Sequence, residues 1–420
     1  MLSAEQNRTL TDTDAGSGMG TALRRHWIPF ACAVEFPASD EPPRRLVLLG
    51  ERLVMFRDSQ GLPALFDEFC PHRRASLYFG RNEDSGIRCV YHGWKFDVTG
   101  RCIDLPSEPP SSRMKERVRA RAYPVREAAG LMWAWMGEGE APDLPDFAWM
   151  SAPPQARYAS RWEQDCNFVQ AMEGELDEAH VSFLHRRLDQ PQVAKDSLIG
   201  DYFREDTAPR WRVARTPVGL ACGARRTVDG GERHLWRINH FAAPFFTLIA
   251  PSDDPHSRIW RAWVPRDNTS CWVLCVTWRD DGPVGAQELS LWREGAVAHR
   301  RLQPGSTRPV ENKDNDYLID RAAQRSVSFT GVQGIRAQDA LVVESAGAIV
   351  DRSRENLGSS DAAVVALRRL LLDYAAGARA LPAGGKDYAV RAYAGFHSWP
   401  DDFDRNPGVM AAMGLSQRAQ

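Results

Sequence analysis

The sequence lacks the features that would place the protein in a membrane or on a secretory route. None of its apolar runs approaches the roughly 20 residues that cross a bilayer, and its polar start (MLSAEQNRTLTDTD) has no signal-type apolar core. It also lacks an excess of charge of either sign, because 53 basic and 55 acidic residues give a formal net charge of -2. This balance gives no reason to expect nucleic acid or an anionic membrane as partner. We expect a cytoplasmic protein.

Cysteine is scarce, and repeats are missing. Eight cysteines in 420 residues do not suggest a disulfide framework, so the six outside the motif described below are expected to be free, buried thiols. There is no internal repeat and no convincing Gly-rich dinucleotide fingerprint. The 43% of hydrophobic and 10% of aromatic residues can fill the cores of two or three domains.

The hydrophobic patterns predict an α+β protein in three blocks. Residues 1–37 are expected to form an N-terminal segment, with a short helix near residues 22–25, that packs on the last block. Residues 38–150 contain short runs bounded by Gly, Pro or Asp and are predicted to be an all-β domain. Residues 151–420 are predicted to form an antiparallel sheet flanked by helices, including helices at residues 163–184 and at about 361–376.

Two short motifs in the all-β block each combine one cysteine with one histidine. They are Cys70-Pro-His72 and, after a gap of sixteen residues, Cys89-Val-Tyr-His92. In a Rieske [2Fe-2S] cluster two cysteines bind one iron and two histidines bind the other, which raises the reduction potential. Tetrahedral zinc is the alternative, but zinc fingers usually present a cysteine pair and then a histidine pair. The mixed pairs favour a Rieske cluster, which exchanges single electrons.

A second group of possible ligands lies in the segment predicted to be helical. It reads Glu173-Gly-Glu175-Leu-Asp177-Glu178-Ala-His180-Val-Ser-Phe-Leu-His185. Two histidines with a carboxylate and open positions are typical of non-haem iron oxygenases. On a regular α-helix, however, His180 and His185 would diverge by roughly 140°, so the helix must end between them or widen locally. Asp177 and His180 would share a helix face. The alternative is two ordinary histidines beside a solvated acidic patch.

Together the two motifs resemble those of the oxygenase component (α subunit) of Rieske non-haem iron ring-hydroxylating oxygenases. The C-terminal part is similar to the phthalate 4,5-dioxygenase branch in Asn315-Asp316-Tyr317-Leu-Ile-Asp-Arg321, Thr330-Gly331, Gln338-Asp339-Ala340-Leu-Val-Val-Glu344-Ser345, Asp351-Arg352 and Glu355-Asn-Leu-Gly358. The resemblance covers nearly the whole chain. It implies an all-β Rieske domain, a catalytic domain of the helix-grip (START-like) type, and two cofactors, a [2Fe-2S] cluster and a mononuclear Fe(II).

The resemblance also assigns the ligands. It implies that the cluster is bound by Cys70, His72, Cys89 and His92, and the mononuclear iron by His180, His185 and a carboxylate. Spacing alone leaves four aspartates open for that carboxylate, and some of them could simply cap a helix: Asp314, Asp316, Asp339 and Asp351. The family pattern matches Asp339.

Asp177 has a separate role by the same resemblance. In the family the matching aspartate links a cluster histidine of one subunit to an iron-binding histidine of the next, in a head-to-tail ring. We therefore expect His92 of one chain to contact Asp177 of its neighbour, and Asp177 to hold His180. This implies an obligate oligomer, either a homotrimer or stacked trimers. A surface aspartate without a partner is the alternative.

The expected activity is that of a terminal oxygenase. A separate NAD(P)H-dependent reductase with flavin or iron-sulfur centres would supply electrons, and O2 would be activated beside an aromatic substrate. Dihydroxylation or monohydroxylation of an aromatic carboxylate is the main expectation. The alternatives are O- or N-demethylation or hydroxylation of a non-phthalate, amine-bearing substrate, an electron carrier without oxygen chemistry, and a zinc-stabilised scaffold protein.

An arginine would provide the bidentate partner that a substrate carboxylate needs. The candidates that we favour are Arg210 and Arg237, and Arg225 and Arg226 lie in the same segment. Glu178 occupies a position at which relatives often carry a small residue. If Glu178 faces the pocket, it would disfavour an anion and attract an amine.

Overall fold

The structure is a computed structural model of the chain. It describes residues 1–36, 38–189, 202–251, 254, 256–378, 382, 385, 388, 391–397 and 409, so residue 37, where one predicted domain boundary falls, lies outside it. Among the described residues no helix is long and apolar enough to cross a membrane. All eight cysteines are buried and none forms a disulfide, so the six outside the two Cys/His motifs are the buried thiols that the sequence predicts.

Short strands dominate the first part of the chain. The strands are β1 (Trp27–Cys32), β2 (Arg44–Leu48), β3 (Glu51–Arg57), β4 (Pro63–Asp67), β5 (Arg81–Asn82), β6 (Ile87–Arg88), β7 (Lys95–Phe96), β8 (Cys102–Asp104), β9 (Ala122–Tyr123), β10 (Val125–Ala128) and β11 (Leu131–Trp135). The helices are α1 (Ala4–Thr11), α2 (Gly18–Leu23) and α3 (Met114–Arg117). The predicted β character of residues 38–150 is confirmed.

These strands form antiparallel sheets in the orders β1-β11-β10, β2-β3-β4-β9 and β5-β6-β7-β8. Strand β1 lies within the predicted N-terminal segment, yet it pairs with β11, with Trp27 opposite Trp135. Residues 87–97 form two short strands, β6 and β7, and not one continuous strand. The second Cys/His motif occupies the turn between them.

A separate hydrophobic core supports the two Cys/His motifs. It includes Phe56, Phe66 and Phe96 together with Cys70 and Cys89. Phe56 and Phe66 pack edge to face, with ring centroids 5.3 Å apart. Since both cysteines are part of this core, the motifs are anchored by packed side chains and not by loop backbone alone.

The rest of the described chain forms one large sheet with helices. The strands are β12 (Arg157–Gln164), β13 (Arg210–Arg215), β14 (Gly219–Val228), β15 (Arg233–Ala242), β16 (Phe246–Ile249), β17 (Ser257–Pro265), β18 (Cys271–Arg279) and β19 (Tyr393–His397). The helices are α4 (Phe168–Leu176), α5 (Tyr202–Glu205), α6 (Ala286–Arg293), α7 (Ala323–Ser326), α8 (Ile335–Ser345) and α9 (Ala362–Ala375). The antiparallel order is β12-β18-β17-β16-β15-β14-β13, and β19 also pairs with β15.

Helices cover this sheet, which confirms the predicted α+β architecture. Helix α4 contacts β15, β16 and β17, and α9 contacts β13 and β14. Helices α1 and α2 pack on α9, so the N-terminal segment lies against the C-terminal part of the chain. The helix predicted at about 361–376 is confirmed as α9. The helix predicted at 163–184 is wrong in extent, because β12 continues to Gln164 and α4 stops at Leu176.

Aromatic side chains join the two parts of the chain. Trp133 of β11 lies 6.3 Å from Trp260 of β17, measured between ring centroids, and Trp149 and Phe246 lie 4.9 and 5.4 Å from Trp260. All four side chains are buried. Because aromatic rings bury large areas with specific geometry, this junction fixes the β11 sheet against the large sheet.

Candidate metal centres and active site

The two Cys/His motifs lie in matching turns, which we call the cluster loops (residues 70–75 and 89–94). In each loop the cysteine N–H donates to the carbonyl of the fifth residue after it, at 2.9 Å in the first loop and 2.8 Å in the second. The N–H of the fourth residue after the cysteine donates back to the cysteine carbonyl, at 3.0 Å in both loops. That residue, Arg74 or Gly93, has a positive φ of 60° or 77°. A Cβ at Gly93 would lie 2.6 Å from Cγ of Pro106, so this turn requires glycine.

The histidines of the cluster loops face each other. The rings of His72 and His92 lie 4.4 Å apart at 67°, and His72 stacks on the buried Trp94 at 4.2 Å. Nδ1 of His72 is buried and has no hydrogen-bond partner within the described part of the chain. A buried imidazole nitrogen without a partner is energetically costly, and binding a metal ion would satisfy this nitrogen.

The two cysteines of the cluster loops meet inside the core. Contact with the thiol of Cys70 lowers the pKa of Cys89, and the backbone N–H groups of Tyr91 and His92 lower it further, while the pKa of Cys70 is raised. The protein thus already favours one thiolate at this place. Two adjacent sulfurs and two converging imidazoles are the donor set of a Rieske cluster, so these residues fit that cofactor.

The second group of ligands forms where α4 ends and α8 passes by. Asp177 caps α4 with an extended backbone (φ -74°, ψ 121°), and His180 follows in a single 3-10 turn. Asp339 lies in α8. Because the helix ends before both histidines, the problem of the five-residue spacing disappears, and His180 and His185 can converge. Asp177 and His180 do contact each other, as their spacing predicts, but they do so beyond the end of α4 and not on a helix face.

The three side chains converge on one point, and we call them the His-His-Asp triad (His180, His185 and Asp339). The Nε2 atoms of the histidines are 3.2 Å apart, and Oδ1 of Asp339 lies 3.5 Å from Nε2 of His180 and 3.2 Å from Nε2 of His185. Ligand atoms about 2.1 Å from one ion and at right angles to each other lie about 3.0 Å apart. The triad therefore fits a single metal ion with open positions.

Both histidines of the triad are oriented through their other ring nitrogen. Nδ1 of His180 lies 3.5 Å from Oδ2 of Asp177, and Nδ1 of His185 lies 2.7 Å from Oε1 of Gln338. Gln338 cannot turn freely, because its Nε2 donates to the Val332 carbonyl at 2.8 Å. With Nδ1–H engaged, each ring presents the Nε2 lone pair to the metal position. The sequence does not predict this role of Gln338; the one feature that could have indicated it is its position directly before Asp339 in the chain.

The electrostatics of the triad favour a cation. Burial lowers the pKa of His180, but Asp177 and Asp339 outweigh it and raise that pKa to about 10. Burial raises the pKa of Asp339, yet Arg336 and the two histidines hold it well below its ordinary value. The negative charges that stabilise a proton on His180 would also stabilise a metal cation, which binds when both imidazoles are neutral.

The acidic run around the triad is not a solvated patch, so that alternative is wrong. Glu173, Glu175 and Glu178 are all buried. Each is paired with two arginines, namely Glu173 with Arg352 and Arg368, Glu175 with Arg261 and Arg336, and Glu178 with Arg226 and Arg237. Buried charges persist only when they are compensated in this way.

The competing aspartates lie elsewhere. Asp314, Asp316 and Asp351 are exposed, and Asp314 forms an ion pair with Arg308. Of the four aspartates, only Asp339 lies close enough to both histidines to share a metal ion with them, within the part of the chain that the structure describes.

The predicted substrate-binding residues have separate places in the large sheet. Arg210 is exposed at the start of β13, opposite the buried Arg225 in β14. Nε of Arg237 donates to Glu178 at 2.9 Å, and its other two nitrogens donate to the carbonyls of residues 251 and 250. Glu178 also accepts from Asn239 at 2.8 Å. The expectation for Glu178 must be corrected, since a carboxylate neutralised by arginines neither repels an anion nor attracts an amine.

A cavity of about 750 Å³ reaches the triad. Its wall includes His185, Gln338, Tyr317, Leu318 and Val332. The His185 side of the triad is therefore accessible to a small molecule in the described part of the chain.

Comparison with known proteins agrees with this geometry. Residues 26–124 match the family described as Rieske [2Fe-2S] domain, and residues 134–392 match the family described as LigXa C-terminal domain like. The chain is 36% identical over 400 residues to the phthalate 4,5-dioxygenase oxygenase subunit of Pseudomonas putida, covering 92% of this chain and 90% of that protein. It is 35% identical over 386 residues to the 3-chlorobenzoate-3,4-dioxygenase oxygenase subunit of Comamonas testosteroni, covering 89% and 88%.

A solved structure shows the same fold. Dicamba monooxygenase bound to dicamba superposes with a TM-score of 0.60 at 21% identity, covering 85% of this chain and 99% of that one. The chain belongs to the Rieske non-haem iron ring-hydroxylating oxygenases, as an oxygenase component. It is an oxidoreductase that uses a Rieske [2Fe-2S] cluster and a mononuclear iron, and oxygenases of this kind work with separate electron-transfer proteins.

Proposed function

We propose that this protein is the terminal oxygenase that uses O2 and electrons passed from NAD(P)H by a separate reductase to dihydroxylate or monohydroxylate an aromatic carboxylate. The observation that carries the proposal is the His-His-Asp triad, with its ligand atoms 3.2 to 3.5 Å apart, on a chain that also contains the cluster loops. A simple electron carrier would need the cluster loops alone.

We assign the cofactors to specific side chains. Cys70 and Cys89 would hold one iron of the cluster and His72 and His92 the other, while the His-His-Asp triad would hold the mononuclear iron. When bound, the cluster supplies single electrons and the ferrous iron supplies a centre that activates O2. The protein's own part is to keep each Nε2 lone pair aimed inward, through Asp177 and Gln338, and to leave positions open for substrate and O2.

Electron transfer would cross a subunit boundary. Asp177 keeps 28% of its side chain exposed, so its carboxylate can accept from His92 of a neighbouring chain while it holds His180. Large apolar side chains are exposed beside both centres, with Tyr91 at 52% next to His92 and Phe183 at 45% close to His180. Val90 is exposed beside Tyr91, and the ring of the exposed Phe329 lies 6.1 Å from that of Phe183, so each centre has adjacent exposed apolar side chains, and contiguous apolar patches mark interfaces. These features support a head-to-tail homotrimer or stacked trimers.

The class of substrate is inferred from the relatives and not from the charge around the triad, because the buried acids and arginines beside it largely offset each other. The relatives named for phthalate and 3-chlorobenzoate fit this class of substrate.

The test combines metal analysis with product analysis. Dithionite-reduced protein should show a Rieske EPR signal and about one further iron per chain, and zinc without a cluster would refute the proposal. Single turnovers under 18O2 should then be run with phthalate, 3-chlorobenzoate, their neutral amides and aromatic amines. Acceptance of acids and rejection of amides is expected. Two labelled atoms in the aromatic product identify dihydroxylation and one identifies monohydroxylation, whereas a demethylation would place the label in formaldehyde and leave the aromatic product unlabelled.

A further inference from the structure

The two oxygens of the triad carboxylate have different surroundings. Oδ1 of Asp339 faces Nε2 of both histidines, at 3.5 and 3.2 Å. Oδ2 instead accepts a hydrogen bond from Nη1 of Arg336 at 2.7 Å. Arg336 lies three residues earlier in α8, so the two side chains share a face of that helix. One oxygen is thus directed to the metal position, and the other is engaged by a cation.

Arg336 is held in place by a second carboxylate. Nη1 of Arg336 lies 2.8 Å from Oε2 of Glu175 in α4, and the other oxygen of Glu175 is paired with Arg261 in β17. All three side chains are at least 90% buried, with Arg336 10% exposed, Glu175 2% and Arg261 3%. Arg336 also lies over the ring of Trp263, 5.5 Å from its centroid. The guanidinium has little freedom to leave Asp339.

The charges of this group balance. Arg261 and Arg336 are positive, and Glu175 and Asp339 are negative, so the four side chains have no net charge as they stand in the protein. A buried carboxylate without such a partner would pay a large desolvation cost, and it would be free to rotate. A charge-assisted hydrogen bond to one oxygen fixes the carboxylate plane as well as its charge.

We propose that Arg336 is a positioning residue, held by Glu175 and Arg261, that reserves Oδ2 of Asp339 and leaves a single carboxylate oxygen for the mononuclear iron. This inference rests on the proposed assignment of Asp339 as an iron ligand. Arg336 itself touches neither substrate nor iron. With iron bound, this hydrogen bond would keep Oδ2 of Asp339 away from the metal and would leave a coordination position for substrate and O2.

The test measures iron binding and the ferrous spectrum in protein that retains its cluster. Arg336→Met should weaken Fe(II) binding at the mononuclear site by about ten- to a hundredfold, the usual effect of losing a residue that orients a metal ligand. Near-infrared magnetic circular dichroism of the ferrous site should also change, since a freed carboxylate alters the coordination. Arg336→Lys should restore part of the affinity, because one ammonium can still reach Asp339. Glu175→Gln should shift both readouts in the same direction by a smaller amount.

Two controls separate the possible results. Arg368→Met removes another buried arginine, which pairs with Glu173 and Glu355, and should leave the Kd for Fe(II) within about twofold. Asp339→Ala should abolish mononuclear iron binding while sparing the cluster.

If Asp339→Ala still binds iron normally, the proposed ligand set is wrong. If Asp339→Ala loses iron but Arg336→Met keeps the wild-type Kd and spectrum, the inference about Arg336 alone is overturned. Should Arg336→Met fail to fold, Arg336→Lys and Glu175→Gln decide by the same two readouts.

Discussion

Removing the carboxylate of Glu178 should destabilise the large sheet. In the folded protein this side chain accepts hydrogen bonds from Arg237 at 2.9 Å and from Asn239 at 2.8 Å, and Nη1 of Arg226 lies 3.6 Å away. Glu178→Ala leaves two buried guanidinium groups without a counter-charge. Breaking a buried ion pair on one side costs about 3 to 5 kcal/mol, so we expect a loss of that size in the free energy of unfolding.

Urea denaturation followed by circular dichroism measures this loss, and pH gives a second check. Burial raises the pKa of Glu178, but Arg237 and Arg226 outweigh it and lower that pKa below its ordinary value. The stabilisation is therefore present above the unfolded pKa of about 4.3 and is lost as the pH falls below it. The difference in the free energy of unfolding between wild type and Glu178→Gln should be largest near neutral pH and should become smaller in acid.

Glu232→Ala, at an exposed position, is the control and should change stability by less than about 0.5 kcal/mol. An equal effect of both alanine variants would refute the reasoning.

Three further substitutions test the metal centres. Asp177→Asn should leave both metals largely bound but slow electron arrival at the iron, and unchanged single-turnover kinetics would contradict the bridge through His180. Gln338→Leu removes the 2.7 Å partner of His185 and should weaken Fe(II) binding by about ten- to a hundredfold in a metal titration, with the cluster EPR signal unaffected. Gly93→Ala forces a side chain into a backbone with φ of 77° and should lower the cluster content measured by visible absorption, while full cluster loading would show that the loop can adapt.

The cluster motif was predictable because its ligands are close together in the chain. All four lie within residues 70–92, and the pattern of Cys-x-His and Cys-x-x-His is rare enough to indicate one chemistry. The strands of residues 38–150 could be recognised for a similar reason, since short alternating runs bounded by turn residues need no tertiary information. The helical turn at His180 was harder, because a run of acidic residues is also typical of an exposed helix.

The residues that orient the triad could not be predicted, because tertiary packing brings them together. Asp339 lies more than 150 positions after both histidines, and only a resemblance to a family selected it among four aspartates. The pairing of Glu175 with Arg336 joins α4 to α8 over a similar separation, and no local pattern marks it. Burial decided the rest, since Glu178 and Arg237 looked like pocket residues in the sequence but neutralise each other inside the protein.

The acidic side chains of α4 and its cap have a consequence for laboratory evolution. Glu173, Glu175, Asp177 and Glu178 each contact a different part of the chain, so the losses from substitutions at several of these positions should add up. A mutant library that seeks new substrates should keep these four codons constant. Randomisation belongs on the cavity wall, at apolar positions such as Leu318 and Val332, where a new side chain changes the shape of the entrance without removing a charge partner.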